Sequence, residues 1–205
     1  MAANGTFGTD VPDWFPPSGD TGQTHLGGHG EVAKDDERLI AYGDCAEANA
    51  TIGVAIAVGQ LSIEVNALLT SIQNDMLDLA ADLSVPLDST EPAEARITEA
   101  YIHRIERAIL HYARDVGAPE TRVLPGGTAA AALLYLARNS LRRAERALWH
   151  AVEAHPTAVN PDTARYVNRL STLFLLLARL ENVEHGNIDW VPGASARAMD
   201  EHDGS

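Results

Sequence analysis

From about Asp36 onward, apolar positions recur with the period of a helix, and the pattern breaks at only a few places. The first such segment is predicted to run from Asp36 to Gly59. Its Ala and Gly content, including Gly43 and Gly53, implies that a neighbouring helix approaches closely. A second segment covers Ser62 to Ser84 and carries Val65, Leu68, Leu69, Ile72, Met76, Leu79 and Leu83 at helical spacing. Pro86, Pro92 and several acids mark residues 85–95 as a connection. A third helix is predicted over Arg96 to Val116, followed by Gly117 and the break Leu124-Pro125-Gly126-Gly127. The fourth extends from Thr128, an N-cap residue after the glycines, to about His155. Pro156 and Pro161 bracket the turn into the fifth, Asp162 to Val183. Its second half, Leu173 to Leu180, is apolar nearly all round, which places it at the centre of the fold or at a subunit contact.

No strand pattern is predicted. Five helices with short connections predict an all-α fold, a five-helix bundle. Residues 1–33 are rich in Gly, Pro, Thr and Asp without sustained periodicity, so they read as loop or extended chain, with residues 1–17 as a flexible start. The helical domain is predicted over 18–190, and 191–205 as a loose tail of small, polar and acidic residues.

Composition narrows the function classes. The chain carries 29 Asp and Glu against 15 Lys and Arg, a formal net charge of −14. That balance argues against general nucleic-acid binding, because phosphate backbones select basic surfaces. It leaves room for a small anion held at a local basic site. No apolar run reaches the length of a membrane span. The first basic residue is Lys34, so the charged region of a signal or transit peptide is not seen, and the reading is cytoplasmic. The single cysteine, Cys45, excludes an internal disulfide and any Cys-rich zinc site.

Against the acidic background, "ARNSLRRAER" (Ala137 to Arg146) concentrates four arginines and one glutamate in ten residues. At about 100° per residue, Arg142 lies about 40° to one side of Arg138 and Glu145 about 20° to the other. The three share a face flanking the apolar stripe of Leu134, Ala137, Leu141, Ala144 and Leu148, whereas Arg143 points well away and Arg146 lies further round. One reading is a solvated face of Arg/Glu pairs, each worth about 0.2–0.5 kcal/mol. The other is an anion clamp at a cleft edge, for which arginine is suited by its permanent charge and bidentate geometry.

A second stretch, "SGDTGQTHLGGHG" (Ser18 to Gly30), ends just before Lys34, the sole lysine of the chain. Glycines let backbone N–H groups approach a phosphate, although this is not a P-loop and a plain surface segment is the competing reading. In "YVNRLSTLFLLLAR" (Tyr166 to Arg179), Asn168 is polar near the start of a helix that is becoming core. It either makes a local hydrogen bond or meets a ligand's sugar or base. His25 and His29 alone do not make a metal site.

The ordered blocks "SGDTGQT", "VAKDDERLIAYGD" with "EANATIG", "IQNDMLDLAADLSVP", "VLPGG", "ARNSLRRAER" and "YVNRLSTLFLLLAR" resemble the PduO-type ATP:cob(I)alamin adenosyltransferases from about Ser18 to Trp190. The resemblance implies a five-helix bundle assembled as a homotrimer with sites between adjacent subunits. It also implies transfer of the 5′-deoxyadenosyl group of ATP to the cobalt of a reduced corrinoid, with triphosphate leaving and Mg²⁺ assisting. Ser18, Gly19, Asp20, Gly22, Thr24 and Lys34 match the family's ATP loop. Arg138, Arg142 and Glu145 match its helix-four nucleotide residues, as the catalytic candidates, and Asn168 matches the asparagine of its last helix. No metal ligand set from the protein alone is implied; Mg²⁺ would come with the ATP phosphates. A reductase or a cobalamin-dependent enzyme is a further implied partner.

The sequence also departs from the family pattern. Arg122 stands where the family usually has a Phe lining the lower corrin face, which makes Arg122 the corrinoid-side candidate. Ala46 stands where an Asp pairs across the subunit interface with the position of Arg138. Pro16, Pro17, Glu31 and Thr172 are further departures. Three function classes follow: an adenosyltransferase, a non-catalytic relative that binds ATP or cobalamin as carrier, sensor or assembly partner, or a helical scaffold that binds neither.

Overall fold

Four of the five α-helices begin where a side chain can take up their free N–H groups. In the computed structural model, which describes residues 19–116 and 122–196, Asp36 caps α1 (Glu37–Val58) and Ser62 caps α2 (Ile63–Leu83). After α3 (Glu99–Val116), Thr128 caps α4 (Ala129–Ala154), and Asn160, with Pro161 following it, caps α5 (Pro161–Leu180). The residues of the predicted flexible start, and Ser18 with it, lie outside the described residues, as do 197–205 of the predicted tail.

α4 is the centre of the bundle: it packs on α1 on one side and α5 on the other, while α2 flanks α1 and α3 flanks α5. The predicted stripe of Leu134, Ala137, Leu141, Ala144 and Leu148 is wholly buried. Facing it, α1 buries Ala41, Cys45, Ala48 and Ala55, small residues that let the two backbones come close, together with Ile52. Gly53 behaves as its spacing suggests, because a Cβ there would lie 3.0 Å from Gln73 Nε2. That amide donates to the Asn49 carbonyl at 3.1 Å, and Asn49 Nδ2 donates back to the Gln73 carbonyl at 3.2 Å, tying α1 to α2. Gly43, by contrast, has open space where its Cβ would be. The apolar half of α5 is central: Leu173, Phe174, Leu176, Leu177 and Ala178 are all buried within the chain.

Three sequence expectations need correction. The chain does form strands, β1 (Gln23–His25) and β2 (Glu31–Ala33), paired antiparallel with Thr24 opposite Val32. At three residues each they are too short to show a two-residue period. The hairpin is fastened to the end of α2 by Gly28 N–H donating to the Ser84 carbonyl at 2.8 Å. Next, α3 begins at Glu99, because Arg96 and Ile97 are drawn onto the end of α2. Arg96 donates to Asp82 Oδ1 (2.7 Å) and to the carbonyls of Val85 (2.6 Å) and Pro86 (2.8 Å), while Ile97 N–H donates to Asp82 Oδ2 at 2.8 Å. Finally, α5 stops at Leu180 so that Asn182 can hold the start of α4. Its Oδ1 accepts from Thr128 N–H at 3.0 Å and its Nδ2 donates to the Gly126 carbonyl at 2.8 Å. Gly127, at φ +102°, passes so close to the Asn182 amide that a side chain there would collide with it. The part of the chain before this glycine pair is held by residues 188–190. Leu124 N–H donates to the Ile188 carbonyl and Trp190 N–H to the Arg122 carbonyl, both at 2.8 Å.

Candidate active site

The arginine-rich stretch of α4 divides as its helical angles dictate. Arg143 turns toward α1, where it pairs with Glu47 and its Nε donates to Asp44 Oδ1 at 3.2 Å. Arg146 folds back along its own helix and donates to the Arg142 carbonyl at 2.8 Å. Arg138, Arg142 and Glu145 share the remaining face, and Glu145 meets Asn168 of α5. Asn168 Nδ2 donates to Glu145 Oε1 at 2.7 Å, and its Oδ1 accepts from Arg169 Nη1 at 2.8 Å. Arg169 is anchored in turn by its Nε on Glu106 Oε1 at 2.9 Å, so the Asn168 amide is oriented from both ends. Arg138 Nε donates to the Ser171 carbonyl at 3.2 Å. Burial, followed by the neighbouring charge of Arg142, lowers the Arg138 pKa from its ordinary value. Among the described residues no ion pair joins Arg138 or Arg142 to an acid. Two guanidiniums side by side without a carboxylate partner form a place where an anion is favoured.

The glycine loop forms a second cationic corner. Gly19 (φ +97°) and Gly22 (φ +81°) adopt a backbone that other residues rarely take, and Gly22 N–H closes the turn on the Gly19 carbonyl at 3.2 Å. Lys34, just after β2, donates its N–H to the Gly22 carbonyl at 2.9 Å. Its ammonium lies over the turn, 3.1 Å from where a Gly19 Cβ would be. Asp20 is exposed in the turn and Thr24 is half-buried in β1.

Within one chain these corners sit at different levels of the bundle. The loop leads into the start of α1, where Glu37 Oε2 lies 3.3 Å from His155 Nε2, just beyond α4. Thirteen residues of helical rise separate His155 from Arg142, a span of roughly 20 Å. Asp36, Glu37 and His155 are the cluster of metal-ligand type among the described residues. Both Asp36 oxygens are already taken by Arg38, at 2.9 and 2.7 Å, so the cluster serves as cap and ion-pair network rather than as a cradle for Mg²⁺.

Arg138 also borders a cleft of about 430 Å³ between α4 and α5, with Arg122, Tyr135, Asn139, Leu175 and Arg179. The Arg122 guanidinium lies over the Trp190 ring, 5.6 Å from its centroid. The corrinoid-side candidate Arg122 and the nucleotide-side candidate Arg138 thus line one cavity. Ala46 is exposed on α1, and the nearby Asp44 serves Arg143 instead of Arg138.

A family model described as cobalamin adenosyltransferase matches residues 15–181. The chain belongs to the cobalamin adenosyltransferase family. It is 44% identical over 185 residues to a corrinoid adenosyltransferase of Mycobacterium bovis, covering 90% of this chain and 95% of that one. It is 38% identical over 180 residues to a corrinoid adenosyltransferase of Bacillus subtilis, covering 84% and 88%. A variant PduO-type ATP:corrinoid adenosyltransferase from Lactobacillus reuteri, solved in complex with cobalamin and ATP, superposes with a TM-score of 0.78. It is 29% identical, covering 86% of this chain and 98% of that one.

Sequence reasoning missed Tyr135 and Arg179 in the cleft of this family member. The signal was present. Tyr135 lies one turn before Arg138, and Arg179, eleven residues after Asn168, returns to within about 20° of its face.

Proposed function

We infer that this chain is a transferase that moves the 5′-deoxyadenosyl group of ATP onto the cobalt of a reduced corrinoid and releases triphosphate. The observation that carries the reading is the unpaired Arg138–Arg142 pair beside an amide-held Glu145, in a chain of this family. Reduced cobalt is a strong nucleophile, so the protein has no nucleophile to activate. Cobalt attacks C5′ of ATP, the C5′–O bond breaks, and its electron pair leaves with the triphosphate. The protein positions C5′ and stabilises charge as it grows on the leaving group. Lys34 and the N–H groups of the Gly19–Gly22 turn hold phosphates, with Ser18, Asp20 and Thr24 contributing to that loop. Arg138 and Arg142 meet the developing charge, while Glu145 and Asn168 hold the nucleoside end. Mg²⁺ arrives with the ATP phosphates.

The working unit in this reading is a homotrimer in the cytoplasm, with the loop of one subunit completing the α4 face of the next. Two features support it: roughly 20 Å of α4 separate Arg142 from His155, which sits beside the start of α1, and the outward face of α1, where Gly43, Ala46, Ala50 and the half-exposed Val54 offer a flat contact. With Ala46 in place of the family's usual Asp, Arg138 is steadied from within its own chain by the Ser171 carbonyl. The test is to supply ATP, Mg²⁺ and chemically reduced cob(I)alamin without oxygen and follow the adenosylcobalamin spectrum. Product formation above the protein-free rate is expected; its absence would refute the assignment.

A further inference from the structure

The cleft between α4 and α5 contains donors that the fold itself does not use. The Tyr135 hydroxyl and Arg179 Nε are both buried and have no hydrogen-bond partner among the described residues. Tyr135 as a whole is only 7% exposed. Folded proteins rarely keep buried donors unpaired unless something binds there. Arg122, Arg138 and Arg179 line the cavity, and among its described lining residues there is no carboxylate. Burial raises the Tyr135 pKa, and the charges of Arg179 and Arg138 act against that rise, so the hydroxyl stays protonated and able to donate at neutral pH. Arg122 is held at the rim by its stacking on Trp190.

We propose that this cleft is a phosphate-binding subsite in which Tyr135 and Arg179 are the inner donors and Arg122 and Arg138 the flanking cations. Its volume of about 430 Å³ leaves room for a phosphate together with part of the molecule that carries it. Only the choice of carrier rests on the adenosyltransferase reading. It is either the phosphodiester of a complete cobalamin or the triphosphate that departs from ATP. Arg122, which replaces an apolar residue usual in the family, then reads as an exchange of an apolar contact for an ionic one.

The two carriers can be separated by binding alone, without turnover. The full chain, Tyr135→Phe and Arg179→Gln are titrated by calorimetry with tripolyphosphate, with cobalamin, and with cobinamide, which lacks the phosphodiester. Each substitution is expected to weaken at least one phosphate-bearing ligand by about tenfold while leaving cobinamide unchanged. Loss confined to cobalamin assigns the site to the corrinoid, and loss confined to tripolyphosphate assigns it to the leaving group. Unchanged affinities in both variants would overturn the proposal. So would an equal loss for cobinamide, or no binding of either phosphate ligand to the unsubstituted chain. Tyr135→Phe keeps the ring and removes only an unpaired hydroxyl, so its melting temperature should equal or exceed that of the parent. A fall would mean that the hydroxyl serves the fold instead. Failure to adenosylate would refute the activity and leave this measurement intact.

Discussion

At the scale of the residue, identical side chains a few positions apart do different work. Arg143 is neutralised by Asp44 and Glu47, while Arg142 is exposed and has no acidic partner among the described residues. A hydrogen bond to a charged group contributes roughly 1.5–3 kcal/mol. Arg142→Ala is therefore expected to lower kcat/KM for ATP by about tenfold to a hundredfold, whereas Arg143→Ala should leave it near the parent value. Steady-state kinetics on the two variants checks the division. Asp36 offers a pH test. Its hydrogen bonds to Arg38 pull its pKa down to about 2. A folded value below the unfolded one stabilises the protein above the unfolded pKa, near 4, and the effect is lost as pH falls through about 2. The contribution is about 2 kcal/mol. Asp36→Asn can still cap α1, so its deficit in melting temperature should be largest near neutral pH and shrink as pH is lowered toward 2.5. A deficit that does not change with pH would contradict the assignment.

At the scale of the element, helical periodicity located the five helices, and the errors fell where side chains reach across the chain. The start of α4 was legible from its local cap, Thr128, and the starts of α1 and α5 fall within a residue of the predicted ones, where Asp36 and Asn160 serve an N–H two residues on. The start of α3 was not legible, because Arg96 and Ile97 answer to Asp82, fourteen and fifteen residues earlier. Asp82 also accepts from Asn160 Nδ2 at 2.7 Å, so one buried carboxylate joins the end of α2, the approach to α3 and the cap of α5. Asp82→Ala would strand a guanidinium, an amide and a backbone N–H together, at an expected cost of about 3–5 kcal/mol, readable by urea denaturation. Gly127→Ala tests the other long-range tie. The positive φ and the Asn182 amide both oppose a side chain, and a loss of about 2 kcal/mol or more is expected. An unchanged denaturation midpoint would mean that the turn before α4 is not held as described.

At the scale of the whole molecule, the candidate site is only half legible from one chain. The α4 trio could be placed on one face by angle alone, whereas Asn168, on α5, was tied to it only by the family resemblance; the structure joins Glu145 to Asn168 at 2.7 Å. The loop of Gly19, Gly22 and Lys34 is also assembled locally. Periodicity says nothing about how the loop corner and the α4 corner are placed relative to each other. Tyr135 and Arg179 escaped notice because a tyrosine and an arginine on apolar helices look like core and rim until the cavity between them is seen.

The two corners are proposed to meet across a subunit boundary, where together they would drive adenosyl transfer. The most direct measurement mixes two impaired chains, Lys34→Ala and Arg142→Ala, by joint refolding and assays formation of adenosylcobalamin. Random assembly into rings gives about a quarter of the interfaces an intact loop facing an intact α4, so the mixture should recover about a quarter of parental activity. A mixture no more active than the average of its two components would contradict the account.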